Sequence, residues 1–196
     1  YIYYDENTLD AIVIDPGADE SKLMDIIKEN NLKLNAILLT HGHFDHIGAV
    51  NELKALTEAP VFIHELEREL VESDEYNESI RINRKSVTVH ADRFLKDGEI
   101  ISVGGGKLHV ILTPGHTAGG VCYYDEENGI LFSGDTLFNE SIGRSDLFFS
   151  DTSALLDSIR TKLFTLPDDV KVLPGQNRAT TIGHEKQFNP FVGNRK

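Results

Sequence analysis

Thr40-His41-Gly42-His43-Phe44-Asp45-His46 sets three imidazoles and a carboxylate within the six positions 41–46. It follows Ala36-Ile37-Leu38-Leu39, an apolar run with the length and composition of a buried strand. The glycine between the first two histidines lets the backbone turn sharply. His41 and His43 lack the i, i+4 spacing that would put a histidine pair on one side of a helix. Positions i, i+2, i+4 and i+5 suit a loop that folds its side chains toward one point. Neutral imidazole and carboxylate are donors that zinc, iron and manganese accept. A histidine-rich surface loop is the plain alternative, but solvation alone rarely concentrates four ligand-type residues in so short a run.

Composition limits what such a site can serve. The chain has 196 residues, 40% of them hydrophobic, and fits one domain, 1–196. No apolar run approaches the ~20 residues that span a bilayer. The net charge of −13 argues against nucleic acid or an anionic membrane as partner, since both require a basic face. A single cysteine, Cys122, excludes an internal disulfide framework and fits a reducing compartment, with the cytoplasm as default. The chain begins Tyr1-Ile2-Tyr3-Tyr4, inside an apparent strand and without methionine, so the first strand is expected to be incomplete.

Apolar periodicity predicts strands over Tyr1–Tyr4, Leu9–Asp15, Leu34–Thr40 and Pro60–Ile63, and helices over Asp19–Asn30, Ile47–Leu56 and Glu65–Val71. Asp15-Pro16-Gly17 reads as a sharp strand end. Asp45 lies near the start of the Ile47–Leu56 helix, where capping competes with metal binding as its role. Region 73–90 is the least periodic. Its Arg81, Arg84 and Lys85 read as a solvated loop, with contact to an anionic substrate as the alternative. His64 and His90 are isolated and read as structural or surface residues. Further on, strands are expected over Glu99–Val103, Lys107–Leu112, Gly120–Tyr124, Ile130–Ser133 and Val170–Leu173, with a helix from Asp151 or Thr152 to Phe164. Gly104-Gly105-Gly106 reads as a hairpin turn, because no Lys-Ser/Thr follows to open a phosphate-binding helix.

Two further strands run out into ligand-type residues. One ends in Thr113-Pro114-Gly115-His116-Thr117 and the other in Ser133-Gly134-Asp135-Thr136. With the 41–46 cluster, the pattern is that of one metal site assembled on several strand termini.

Thr40-His41-x-His43-x-Asp45-His46, Pro114-Gly115-His116-Thr117 and Ser133-Gly134-Asp135-Thr136-Leu137-Phe138 together resemble the metallo-β-lactamase superfamily. Within it, Ser141-Ile142-Gly143-Arg144-Ser145-Asp146 and Thr181-Ile182-Gly183-His184-Glu185-Lys186, with Asn189-Pro190-Phe191, resemble the short glyoxalase II-like (hydroxyacylglutathione hydrolase-like) hydrolases. The resemblance implies an α/β fold, an αββα sandwich of two mixed β-sheets with helices on the outer faces. It implies that His41, His43 and His116 hold one metal, that Asp45 and His46 hold a second, and that Asp135 bridges the two. Zn2+ is the implied cofactor, one or two ions per chain, with iron or manganese as alternatives. Where the family carries Pro-Gly-His-Gly-Pro, this chain has Pro174-Gly175-Gln176-Asn177-Arg178. Gln176 therefore replaces a ligand histidine with a poorer zinc donor. His184 belongs to a separate part of the pattern and is expected to pack or cap the next helix.

The implied activity is hydrolysis of an activated acyl bond, foremost the thioester of a small acyl-thiol substrate. Asp45 would be catalytic by orienting the water that the metal activates. No residue is assigned to substrate binding. Larger glyoxalase II enzymes continue into a helical domain that helps to grip glutathione. This chain stops soon after Phe191, which argues against glutathione specificity. Two alternatives stand beside thioester hydrolysis: a persulfide dioxygenase with one iron, and a degenerate member that binds metal without turnover.

Overall fold

Apolar runs such as Ala11-Ile12-Val13-Ile14 and Ala36-Ile37-Leu38 are almost wholly removed from water, and these runs become the central strands. The computed structural model describes residues 1–193; the last three residues of the expected domain lie outside the described residues. Contacts gather the chain into two compact units, Tyr1–Leu95 with Ser102–Gly106, and Lys96–Ile101 with Lys107–Lys196.

The first unit is built from β1 (Ile2–Tyr4), β2 (Asp10–Ile14), α1 (Glu20–Glu29), β3 (Lys33–Leu38), α2 (Phe44–Ile47), α3 (Val50–Thr57), β4 (Val61–His64), a 3-10 turn (Glu65–Glu67), α4 (Arg68–Val71), a π-turn (Ser79–Asn83) and β5 (Arg93–Leu95). Its sheet has the order β1-β2-β3-β4-β5. β1 is antiparallel to β2, whereas the later pairs are parallel. Parallel neighbours need crossovers; α1, the α2–α3 segment and the stretch from the 3-10 turn through α4 to the π-turn supply them in order. The core packs Val13, Ile37, Val61 and Ile63 of the strands with Met24, Ile27, Val50 and Leu53 of the helices.

The remaining elements are β6 (Ile100–Val103), β7 (Gly106–Leu112), β8 (Val121–Asp125), β9 (Ile130–Gly134), β10 (Leu137–Phe138), β11 (Ser141–Ile142), α5 (Thr152–Thr161), a second 3-10 turn (Leu163–Thr165), β12 (Lys171–Pro174), β13 (Thr180–Thr181) and α6 (Ile182–Phe188). A six-stranded sheet runs β13-β12-β9-β8-β7-β6, and β10 pairs with β11. Antiparallel β7-β8-β9 meets β12 in parallel, so this sheet is mixed like the first. Leu131 and Val172 of its strands pack with Leu155 and Ile159 of α5 and Ile182 of α6. Two mixed sheets with helices are the α/β arrangement expected from the sequence.

The expected helix over Ile47–Leu56 is instead two, α2 and α3, broken at Gly48-Ala49. At this point the backbone packs on the Pro16-Gly17 turn. Ala49 N–H donates to the Pro16 carbonyl at 2.9 Å, and a Cβ on Gly48 would come within 2.2 Å of the Gly17 oxygen. The short elements β5, β10, β11, β13 and α6 were not anticipated, because two to seven residues carry too little periodicity to be read. No helix among the described residues is long and apolar enough to cross a membrane.

Charged groups tie loops to strand ends. Burial alone would raise the Asp97 carboxyl, but the Leu112 amide, the Lys162 ammonium and the Gly98 amide outweigh it and hold the group below its ordinary value near 3.8. Its stabilisation is complete above that value and is lost as pH falls through the lower folded value. Both partners are partly exposed, so the increment is small, about 1 kcal/mol. Asp97→Asn is therefore expected to be less stable than wild type at pH 7, by a margin that narrows as the pH of the urea melts is lowered below 3.8. A gap that stays constant with pH would contradict this.

Candidate metal centre

In the first unit the histidine loop leaves β3 alongside the end of β2. Register pairs Ile14 with Leu38, so Asp15 arrives beside Leu39-Thr40. Asp15 takes a left-handed backbone conformation, φ 49°, which Asp tolerates better than most residues. Gly17 follows because the chain there lies on α2: a Cβ would sit 1.7 Å from the Asp45 carbonyl oxygen.

Asp15 is the hub of this half. Its Oδ1 accepts the Thr40 N–H at 2.7 Å, and its Oδ2 accepts the Thr40 hydroxyl at 2.6 Å. The same Oδ2 lies 3.0 Å from His46 Nδ1, and an ionised carboxylate only accepts, so Nδ1 carries the proton. Thr40 Oγ1 has given its one proton to Asp15 and therefore accepts from His41 Nδ1 at 3.1 Å. Both rings therefore carry an unprotonated Nε2, the form of nitrogen that a metal accepts.

His41, His43 and His46 are all buried. The His41 ring lies 4.9 Å from that of His43 and 4.1 Å from that of His46, centroid to centroid. One ligand nitrogen of His41 is within 4.8 Å of one on His43, and one within 4.8 Å of one on His46. Asp45 is not a cap. The N-cap of α2 is His43, and Asp45 sits inside the first turn with its side chain 40% exposed. Its Oδ2 is 3.8 Å from His46 Nε2. Two donors each about 2.1 Å from one ion can be no more than about 4.2 Å apart, so the pair fits a shared cation. Glu67, buried on its 3-10 turn, accepts the Gly42 N–H at 2.9 Å and pins the loop between His41 and His43.

In the second unit His116 and Asp135 come together, with Nε2 and Oδ2 3.9 Å apart, again within reach of one ion. His116 Nδ1 lies 2.7 Å from the Arg144 carbonyl oxygen, which can only accept, so here too the neutral ring has its proton on Nδ1 and an unprotonated Nε2. Gly143 makes that contact feasible: a Cβ would stand 1.8 Å from the Asp135 carbonyl oxygen and 3.2 Å from His116 Nδ1. Parallel pairing of β9 with β12 sets Pro174 opposite Gly134, and Gly175 N–H donates to Gly134 O at 2.8 Å. Gln176 is thereby carried to Asp135, where its Nε2 donates to Oδ2 at 3.2 Å.

His184 is not in this group. Its backbone N–H is capped by Thr181 Oγ1, its ring faces Phe188, and its Nε2 is 3.0 Å from Glu140 Oε1. His64 Nδ1 accepts the Leu66 N–H and caps its turn, and His90 is an exposed residue beside Glu72. Arg81 pairs with Glu78. Sequence reading assigned Asp15 only to a turn and did not single out Thr40, Glu67 or Arg144 as supports of the site. The donor set fits a divalent cation: buried imidazoles with Nδ1 hydrogen-bonded and carboxylate oxygens near Nε2.

The sequence profile of the Metallo-beta-lactamase superfamily matches residues 1–175. The hydroxyacylglutathione hydrolase GloC of Haemophilus influenzae is 36% identical over 94% of this chain and 88% of its own length. Among solved structures, BLEG-1 B3 metallo-beta-lactamase has a TM-score of 0.92 at 40% identity, over 97% of this chain and 92% of its own. TTHA1623 in a di-iron-bound form has a TM-score of 0.86 at 37% identity, over 97% and 94%.

Asp15→Asn would present an amide NH2 to the Thr40 hydroxyl and to His46 Nδ1–H. Donor would face donor, which favours the His46 tautomer that has its proton on Nε2. The expected loss in zinc affinity is roughly 10–100-fold, measured by competition with a chromophoric chelator on protein whose folding is checked by circular dichroism. Unchanged affinity would remove Asp15 from this role.

Proposed function

The chain belongs to the metallo-β-lactamase superfamily, and we propose that within it the protein is a thioester hydrolase acting on a small acyl-thiol substrate. The similarity to a hydroxyacylglutathione hydrolase over 94% of the chain carries this reading. When metal is bound, His41, His43 and His116 would hold one ion and Asp45 and His46 a second, with Asp135 available to either. A divalent metal, when bound, supplies Lewis acidity and lowers the pKa of water.

The chain's own groups do the rest. Asp15, through Thr40 for His41 and directly for His46, keeps Nε2 available. The Arg144 carbonyl does the same for His116. Asp45, whose side chain is 40% exposed and 3.8 Å from His46 Nε2, would orient the attacking water. A thiolate departs without strong acid assistance, so the reaction makes no demand for a further acid. Zinc is the proposed metal, with iron as the alternative that the di-iron relative supports.

Gln176 bears on the number of ions. Its amide donates to an Asp135 oxygen that a bridging carboxylate would use for metal, and it offers a weaker donor than imidazole. Dialysed protein is expected to retain about one zinc per chain, and Gln176→His about two, by elemental analysis. Two ions in wild type would overturn this.

The similarity to BLEG-1 favours β-lactam hydrolysis as a second reading. The assay that separates them offers one enzyme preparation a set of acyl-thiol esters and a chromogenic cephalosporin. Turnover of thioesters that disappears with chelator and returns with zinc is the expected result. Turnover confined to the cephalosporin, or none from metal-loaded protein, would refute thioester hydrolysis.

A further inference from the structure

The second unit holds a cleft of about 520 Å3 lined by Asn139, Lys171, Arg178, Thr180, Thr181 and His184. In a chain of net charge −13, this cleft brings together an ammonium, a guanidinium and an imidazole. Its walls are held from behind by Glu185, whose carboxylate is fully buried. Glu185 accepts from Thr180 Oγ1 at 2.6 Å, Glu140 N at 2.9 Å, Asn189 Nδ2 at 2.8 Å and Asn139 Nδ2 at 3.4 Å. Asn139 Oδ1 in turn accepts Arg178 Nε at 2.6 Å.

That chain of contacts orients the guanidinium and leaves its two terminal Nη groups for a ligand. Their planar fork matches a carboxylate or phosphate. The Lys171 ammonium forms no ion pair or side-chain hydrogen bond among the described residues. His184 Nε2 lies 3.0 Å from Glu140 Oε1 and 3.9 Å from Glu185 Oε1, so both of these acids face the imidazole.

Arg178 marks the end of the cleft toward the candidate centre, whereas Lys171, paired with Ile130, lies at the far end of β12. Arg178 follows Gln176 by two residues, a span of at most about 7 Å, and Gln176 donates to the candidate ligand Asp135. An anion held at Arg178 and a bond broken near Asp135 are therefore within the length of one small substrate.

We propose that this cleft is an anion-binding subsite that grips the carboxylate or phosphate end of the substrate's thiol carrier. The proposal rests on the thioester reading for its substrate, but the subsite can be tested without turnover. One acyl group would be offered on three carriers: glutathione, with carboxylates; coenzyme A, with phosphates; and N-acetylcysteamine, uncharged. Arg178→Gln is expected to lower kcat/KM for one anionic carrier, relative to the uncharged one, about tenfold and through KM. Lys171→Gln should give a smaller loss in the same sense, and the carrier affected identifies the anion. An unchanged ratio for both anionic carriers would overturn the subsite.

Calorimetry with S-hexylglutathione and an S-alkyl coenzyme A thioether, neither hydrolysable, separates the two ideas. If no thioester is cleaved yet one thioether binds wild type about tenfold more tightly than Arg178→Gln, the reaction is wrong and the subsite stands. Equal affinity in both proteins, or binding to neither, overturns the subsite whatever the assay shows.

Discussion

One carboxylate decides which nitrogen two histidines can offer. Asp15 accepts a hydrogen bond from the Nδ1–H of His46 directly and fixes the Nδ1 proton of His41 through the Thr40 hydroxyl. Its side chain is 9% exposed and has three donors on it, so its removal would strand each of them at about 1–3 kcal/mol. The cost of placing a negative charge there is offset by charge-assisted hydrogen bonds that also select one tautomer. The fold serves this contact: parallel pairing of β2 and β3 brings Asp15 and Thr40 side by side, and Gly17 lets the next turn lie on α2.

The second unit reaches the same end with different chemistry. A backbone carbonyl at Arg144 replaces the carboxylate, and Gly143 supplies the close approach. Parallel register again does the positioning, with β9 and β12 aligning Gly134 and Gly175 so that Gln176 meets Asp135. Where imidazole would add another nitrogen donor, the Gln176 amide donates a hydrogen bond to a carboxylate oxygen.

The ligand-type residues were legible because their signal is local: a strand followed at once by His-x-His-x-Asp-His, or by Gly-His or Gly-Asp. Their supports act across the chain. Asp15 reaches Thr40 over 25 residues and His46 over 31, Glu67 reaches Gly42 over 25, and Arg144 reaches His116 over 28. No spacing rule connects such pairs before the strands are ordered. Asp15-Pro16-Gly17 illustrates the loss: its turn chemistry was read correctly, but the same aspartate's larger role depends on a neighbouring strand. The break at Gly48-Ala49 was missed for a similar reason, since the apolar spacing continues through it and only contact with the Pro16-Gly17 turn interrupts the helix. The cleft at Arg178 joins residues from 139 to 184 through the buried Glu185, and no spacing in the sequence connects them.

The central claim is that the protein fixes its imidazoles for metal through Nδ1. Long-range 1H–15N correlation of the ring nitrogens in metal-free protein, at a pH where the rings are neutral, tests it most directly. The predicted result is a proton on Nδ1 and an unprotonated Nε2 in His41, His46 and His116. A proton on Nε2 of His46 or His116 would contradict it.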